Sequence, residues 1–99
     1  MFVIVWKYVV RPDAAQEFRA AYRSDGEWAQ LFSRSPEFFG TELVSEPGST
    51  TYLTIDRWVA AAAADAFIES VRDEYEELDE RFAVFTESEQ LVMRGHFVG

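Results

Sequence analysis

Tyr52-Leu53-Thr54-Ile55-Asp56-Arg57-Trp58 is the stretch that decides the fold. Its β-branched and aromatic residues lie between the turn signal Glu46-Pro47-Gly48-Ser49 and the alanine run Ala60 to Ala64, so they predict a strand that feeds a helix. Strand alternation puts Tyr52, Thr54, Asp56 and Trp58 on one face and Leu53, Ile55 and Arg57 on the other. A carboxylate, a hydroxyl and two aromatic rings then share a surface, which is the composition of a small pocket wall.

Upstream, Phe38 to Glu46 reads as a strand in which Phe39, Thr41, Leu43 and Ser45 oppose Phe38, Gly40, Glu42 and Val44. The short loop Pro47 to Thr50 joins it to the Tyr52 stretch as an antiparallel hairpin. Phe2 to Val10 is a further strand, apolar on both faces, with Lys7 its only charge. Between these, Asp13 is placed to cap a helix whose Phe18 and Tyr22 lie one turn apart. Ser24 or Asp25 caps a second short helix carrying Trp28, Leu31 and Phe32. Downstream, Phe67, Val71, Tyr75, Leu78 and Phe82 recur at helical spacing and predict one long helix from Ala60. Thr86 to Glu89 reads as a polar connection. Gln90 to Val98 reads as the last strand, with Leu91, Met93, Gly95 and Phe97 opposing Val92, Arg94, His96 and Val98.

The predicted order β, α with a break, β, β, α, β is that of the ferredoxin-like split βαβ, an α+β fold with one antiparallel sheet and its helices on a single face. The opposite face then carries apolar residues beyond what a monomer usually exposes, so a homodimer through the open sheet face is expected. At 99 residues the chain is one domain, 1–99. Eighteen acidic against nine basic residues give a net charge of −9, a field that disfavours nucleic acid and anionic membrane partners. Cysteine is absent, which removes disulfides and thiolate chemistry and is compatible with a cytoplasmic location. The Met1 to Val10 run is too short to span a bilayer and has neither a basic region before it nor a cleavage site after it, so no signal or anchor is expected.

The opening Phe2-Val3-Ile4-Val5-Trp6, the block Trp28-Ala29-Gln30-Leu31-Phe32, Gly40-Thr41-Glu42-Leu43 and the Tyr52 to Trp58 strand, continued by Phe67 and Tyr75, resemble the antibiotic biosynthesis monooxygenase family of the dimeric α+β-barrel superfamily. The resemblance implies a dimeric barrel, with a pocket in each subunit between helices and sheet. It also implies cofactor-independent oxygenation of a small aromatic or phenolic, polyketide- or quinol-like substrate. Trp58 occupies the position of a substrate-holding Trp in the oxygenase branch, which carries an Asn shortly before it where this chain has Thr54 and Asp56. The haem-degrading branch carries a His in the long helix, where this chain has none; haem is therefore a minor expectation and no cofactor is assigned.

Three residues stand as catalytic candidates. Asp56 is a base if buried beside aromatics, or else the partner of Arg11, Arg57 or Arg94. His96 is the one side chain that titrates near neutrality unperturbed, or an exposed residue near the chain end. Trp58 stacks on a planar ligand or closes the strand-helix corner. Trp6, Tyr22, Trp28, Phe32, Thr54, Phe67 and Tyr75 are the candidate substrate-binding residues. The acidic run Asp73 to Glu80 has no histidine at ligand spacing, reads as a solvated helix face, and yields no metal site. The alternative function is a non-catalytic or stress-linked dimeric module that holds a small apolar ligand in the same pocket.

Overall fold

A computed structural model describes residues 1–99. Its elements are β1 (Phe2–Val10), a 3₁₀ turn (Pro12–Ala14), α1 (Ala15–Tyr22), α2 (Glu27–Phe32), β2 (Phe38–Ser45), β3 (Thr51–Trp58), α3 (Ala61–Ser70), α4 (Arg72–Phe82), a second 3₁₀ turn (Ala83–Phe85) and β4 (Thr86–His96). The four strands form one antiparallel sheet in the order β2-β3-β1-β4, which is the split βαβ arrangement. β3 is thus central and in register with both neighbours. Asp56 lies opposite Ile4 on β1 and Thr41 on β2, and Thr54 lies opposite Trp6 and Leu43. Tyr52, Thr54 and Trp58 are buried beneath the helices, whereas Leu53, Ile55 and Arg57 are half-buried on the open face.

Burial on the helix side joins Phe2, Ile4, Tyr8 and Val10 of β1 to Phe18 and Tyr22 of α1, Trp28 and Phe32 of α2, and Leu78 and Phe82 of α4. The rings interlock pairwise: Phe18 stacks on Tyr22 at 4.2 Å between centroids, and Trp28 meets Tyr75 edge-on at 4.9 Å. Such pairs specify a single arrangement of the helices over the sheet, because displacing one ring opens space beside several others.

Four local expectations are corrected. Along β2 the strict alternation fails at Phe39. A bulge between Phe38 and Gly40 turns Phe38 toward the core and leaves Phe39 exposed, and Gly40 accommodates it with φ +111°. A register shift in the pairing of β1 with β4 places Leu91 opposite Trp6 but Met93 opposite Val5, so these two residues lie on different faces. β4 also begins at Thr86, which makes Glu89 a strand residue opposite Tyr8 and not part of a connection. The long helix is broken at Val71, where φ/ψ are −117°/26°. There the Ser70 hydroxyl donates to the Phe67 carbonyl, a local bond that competes with the helical ladder next to a β-branched residue.

The expected caps are not formed either. Asp13 falls within the first 3₁₀ turn without capping, and Gly26, in place of Ser24 or Asp25, occupies the N-cap of α2. No helix is long and apolar enough to cross a membrane.

Candidate active site

Between the helices and the sheet lies a cavity of ≈ 110 Å³. Its floor is the helix-side face of the sheet: Trp6 and Tyr8 from β1, Thr41 from β2, Thr54 and Asp56 from β3, and Glu89 from β4. Tyr22, Trp28, Phe32, Tyr75 and Asp79 close it from the helices. The sheet positions follow from register, since Tyr8, Trp6 and Ile4 stand opposite Tyr52, Thr54 and Asp56 along the β1-β3 pair. The helix positions follow from one-turn spacing: Trp28 and Phe32 point down from α2, and Tyr75 and Asp79 lie one turn apart on α4.

Asp56 is the chemically distinctive group. Thr41 donates its hydroxyl to Asp56 Oδ1 at 2.5 Å across the β2-β3 pair. No arginine reaches Asp56: Arg57 pairs with Glu42, Arg94 with Asp65, and Arg11 with Asp13. Strand alternation separates Arg57 from Asp56, and the other two arginines are held by carboxylates outside the cavity. The ion-pair alternative for Asp56 is therefore not realised. Burial raises its pKa from 3.8 to about 6, and the Thr41 hydroxyl opposes that rise by bonding the ionised form. At neutral pH the group is mostly a carboxylate with depleted solvation, able to accept a proton.

The tyrosines have a different role. Burial pushes Tyr75 up to about 12 and pushes Tyr8 and Tyr22 up further, so all three hydroxyls stay protonated at neutrality. They offer neutral hydrogen bonds and aromatic faces. The Trp28 indole N–H is buried without an acceptor in the protein. The Tyr22 hydroxyl lies beside it, and the Trp28 ring forms part of the cavity wall.

Of the residues expected from sequence to form a site, the cavity brings together Asp56, Thr54, Trp6, Tyr22, Trp28, Phe32 and Tyr75. Trp58 does not line it. Its side chain is fully buried, with Phe32, Phe38 and Phe67 at 5.5, 5.0 and 5.8 Å, so it closes the strand-helix corner. Phe67 packs against Trp58 and not against the cavity. His96 is exposed on the edge strand with its ring 5.4 Å from Phe2, away from the cavity lining.

Tyr8, Thr41, Asp79 and Glu89 were not foreseen. Alternation from Trp6 would have found Tyr8. Thr41 was obscured by the bulge, which breaks the alternation from Phe38, and Glu89 by the early start of β4. Asp79 carries no signal apart from its one-turn spacing from Tyr75. No group of three or more His, Asp or Glu side chains is placed to hold a metal ion.

Comparison with known proteins bears on this geometry. A family model for antibiotic biosynthesis monooxygenases matches residues 1–80. Among solved structures, a protein of antibiotic biosynthesis monooxygenase type from Nitrosomonas europaea superposes with a TM-score of 0.71 at 17% identity, covering 99% of this chain and 100% of its own. One from Bordetella bronchiseptica gives 0.75 at 16% identity, covering 99% and 97%. SnoaB, a cofactor-independent oxygenase from Streptomyces nogalater, gives 0.72 at 18% identity, covering 99% and 91%. No curated protein sequence matches the chain. At these identities the superpositions speak for the fold alone, whereas the family match takes in β1 to most of α4 and with them every cavity residue except Glu89. The chain belongs to the antibiotic biosynthesis monooxygenase family.

Proposed function

We propose that the protein is a monooxygenase that oxidises a small phenolic substrate, with Asp56 as the base that starts the reaction. The observation that carries this reading is Asp56 itself: a carboxylate on the wall of an aromatic cavity, held only by Thr41 and free of any cation. A base with a pKa near neutrality removes a phenolic proton with the smallest mismatch between availability and strength. The resulting anion passes one electron to dioxygen, and the radical pair combines to form a carbon–oxygen bond. Protonation gives a hydroperoxide at that carbon. Loss of water then breaks the O–O bond and leaves a ring carbonyl, so phenol plus dioxygen yields quinone plus water, with all four electrons drawn from the substrate.

Trp6, Trp28 and Tyr75 would hold the ring, and orientation against Asp56 accounts for part of the rate. Trp58 contributes by fixing the corner from which β3 passes to α3, and His96 has no part in the proton transfer. The volume, ≈ 110 Å³, suits one aromatic ring better than several fused ones. The reading includes a second copy of the chain covering the open sheet face.

Oxygen uptake with single-ring phenols and hydroquinones tests it. Turnover by the native chain and a loss of about 100-fold or more in kcat for Asp56→Asn are expected. Undiminished turnover in that variant removes Asp56 from the mechanism. Binding of phenols with no oxygen uptake overturns the enzymatic reading and leaves a ligand-holding module.

A further inference from the structure

The cavity wall carries three carboxylates, Asp56, Asp79 and Glu89, and no lysine, arginine or histidine. The eight ion pairs of the molecule all use other acidic side chains. Depth separates the three. Asp56 is half-buried at the floor, whereas Asp79 on α4 and Glu89 on β4 line the same cavity and are exposed. Their proximity is felt: burial raises the Glu89 pKa, and the charge of Asp79 raises it further. A second feature is independent of charge. Trp28 is only 9% exposed, yet its indole N–H finds no acceptor within the protein, and its side chain lines the same cavity.

These features favour a phenol that carries a positive charge over a neutral one, and a neutral one over an anionic one. Proton transfer to Asp56 leaves the total charge unchanged but moves one negative charge onto the substrate, in a cavity whose Asp79 and Glu89 have no cationic partner, inside a chain of net charge −9. A substrate that brings its own positive charge offsets it, since its deprotonated form is a zwitterion. We propose that the cavity selects a single-ring phenol bearing an alkylammonium group, with the ring among the aromatics and the ammonium between Asp79 and Glu89. The phenolic end lies at the floor, where Asp56 accepts its proton and the Trp28 N–H is available to its oxygen. The aromatic faces of Trp28 and Tyr75 add cation–π attraction for the ammonium as it enters. This specificity rests on the oxygenase reading but concerns recognition, which is measured without turnover.

The test is equilibrium binding under anaerobic conditions, read by tryptophan fluorescence because Trp6 and Trp28 line the cavity. The probes are tyramine, 4-ethylphenol and 4-hydroxyphenylacetate, which share a ring and hydroxyl and differ in the charge of the tail. Tyramine is expected to bind about tenfold more tightly than 4-ethylphenol, and 4-hydroxyphenylacetate more weakly than both. The preference for tyramine should shrink as sodium chloride is raised, since both rim carboxylates are exposed. In the double variant Asp79→Asn with Glu89→Gln, the ratio of the two affinities should collapse, with tyramine binding no more tightly than 4-ethylphenol. Equal affinities in the native chain, tighter binding of the acid, a tyramine preference that survives the double variant, or no binding of any probe overturns the proposal. Oxygen uptake with whichever probe binds reports separately on the oxygenase reading, so a cation-selective cavity without uptake and an oxygenase without cation preference are distinct results.

Discussion

Asp56 shows how one side chain can trade stability for chemistry. Its native pKa is about 6 against 3.8 for an unperturbed carboxyl, so the folded state holds the proton more tightly than the unfolded state. The stabilising contribution is therefore complete below pH 3.8 and is lost as pH rises through about 6. Above that, folding carries the cost of a poorly solvated carboxylate, about 2 kcal/mol once partial solvent access is allowed for. Asp56→Asn keeps the shape and a partner for the Thr41 hydroxyl but has no charge to desolvate. Urea denaturation at pH 4 and pH 7.5 should show the variant gaining on the native chain by about 2 kcal/mol over that interval. A constant difference between the two pH values means that Asp56 does not titrate as assigned. Thr41→Val, which removes the one bond favouring the ionised form, should move the native midpoint upward.

At the scale of elements, α1 and α2 meet in a contact that only glycine permits. Gly26 sits at the N-cap of α2, where a Cβ would lie 2.4 Å from the Ala21 carbonyl oxygen, an atom of the backbone that cannot swing aside. Gly26→Ala should force the two helices apart and lower stability by about 2 kcal/mol or more, measured by thermal or urea unfolding; a change below about 0.5 kcal/mol would show that the α1-α2 corner is soft. The same corner carries Tyr22 and Trp28, so ligand affinity should fall with it. Periodicity made most of the elements legible in the sequence, because the helix stripe Phe67 to Phe82 and the alternation Tyr52 to Trp58 each repeat several times. The bulge at Phe38–Gly40, the shift between Met93 and Leu91 and the break at Val71 were not legible, because each is a single-residue departure fixed by contacts elsewhere in the chain. The site inherited this division. Trp6, Thr54, Asp56 and Tyr75 lie on regular stretches and were found, and Thr41 and Glu89 follow irregular ones and were missed; Tyr8 and Asp79 break the pattern, being missed on the regular β1 and α4. Trp58 was chosen by resemblance, and its regular strand position could not reveal that Phe32, Phe38 and Phe67 enclose it.

The whole molecule measures 36 × 34 × 20 Å, and the short dimension is that of one sheet with one layer of helices. Nothing in the chain covers the second sheet face, where Val5, Val9, Leu53 and Ile55 are half-buried and Met93 is 57% exposed. A sheet with two apolar faces needs a layer on each, and a symmetric copy of the same face is the self-complementary cover. The charge count opposes this pairing, since each copy brings −9. The proposed dimer therefore has a salt signature: apolar burial holds it together while like charge loosens it, so the dissociation constant should fall as sodium chloride is raised. Sedimentation velocity at micromolar concentration should give twice the chain mass of 11.4 kDa. Ile55→Lys, which puts a charge at the centre of that face and leaves the cavity side of β3 untouched, should give a monomer with unchanged ligand affinity. A native chain that stays monomeric across the salt range sinks the dimer. A monomeric Ile55→Lys variant that has also lost ligand binding would show instead that the pairing of sheets shapes the cavity on the far side of β3.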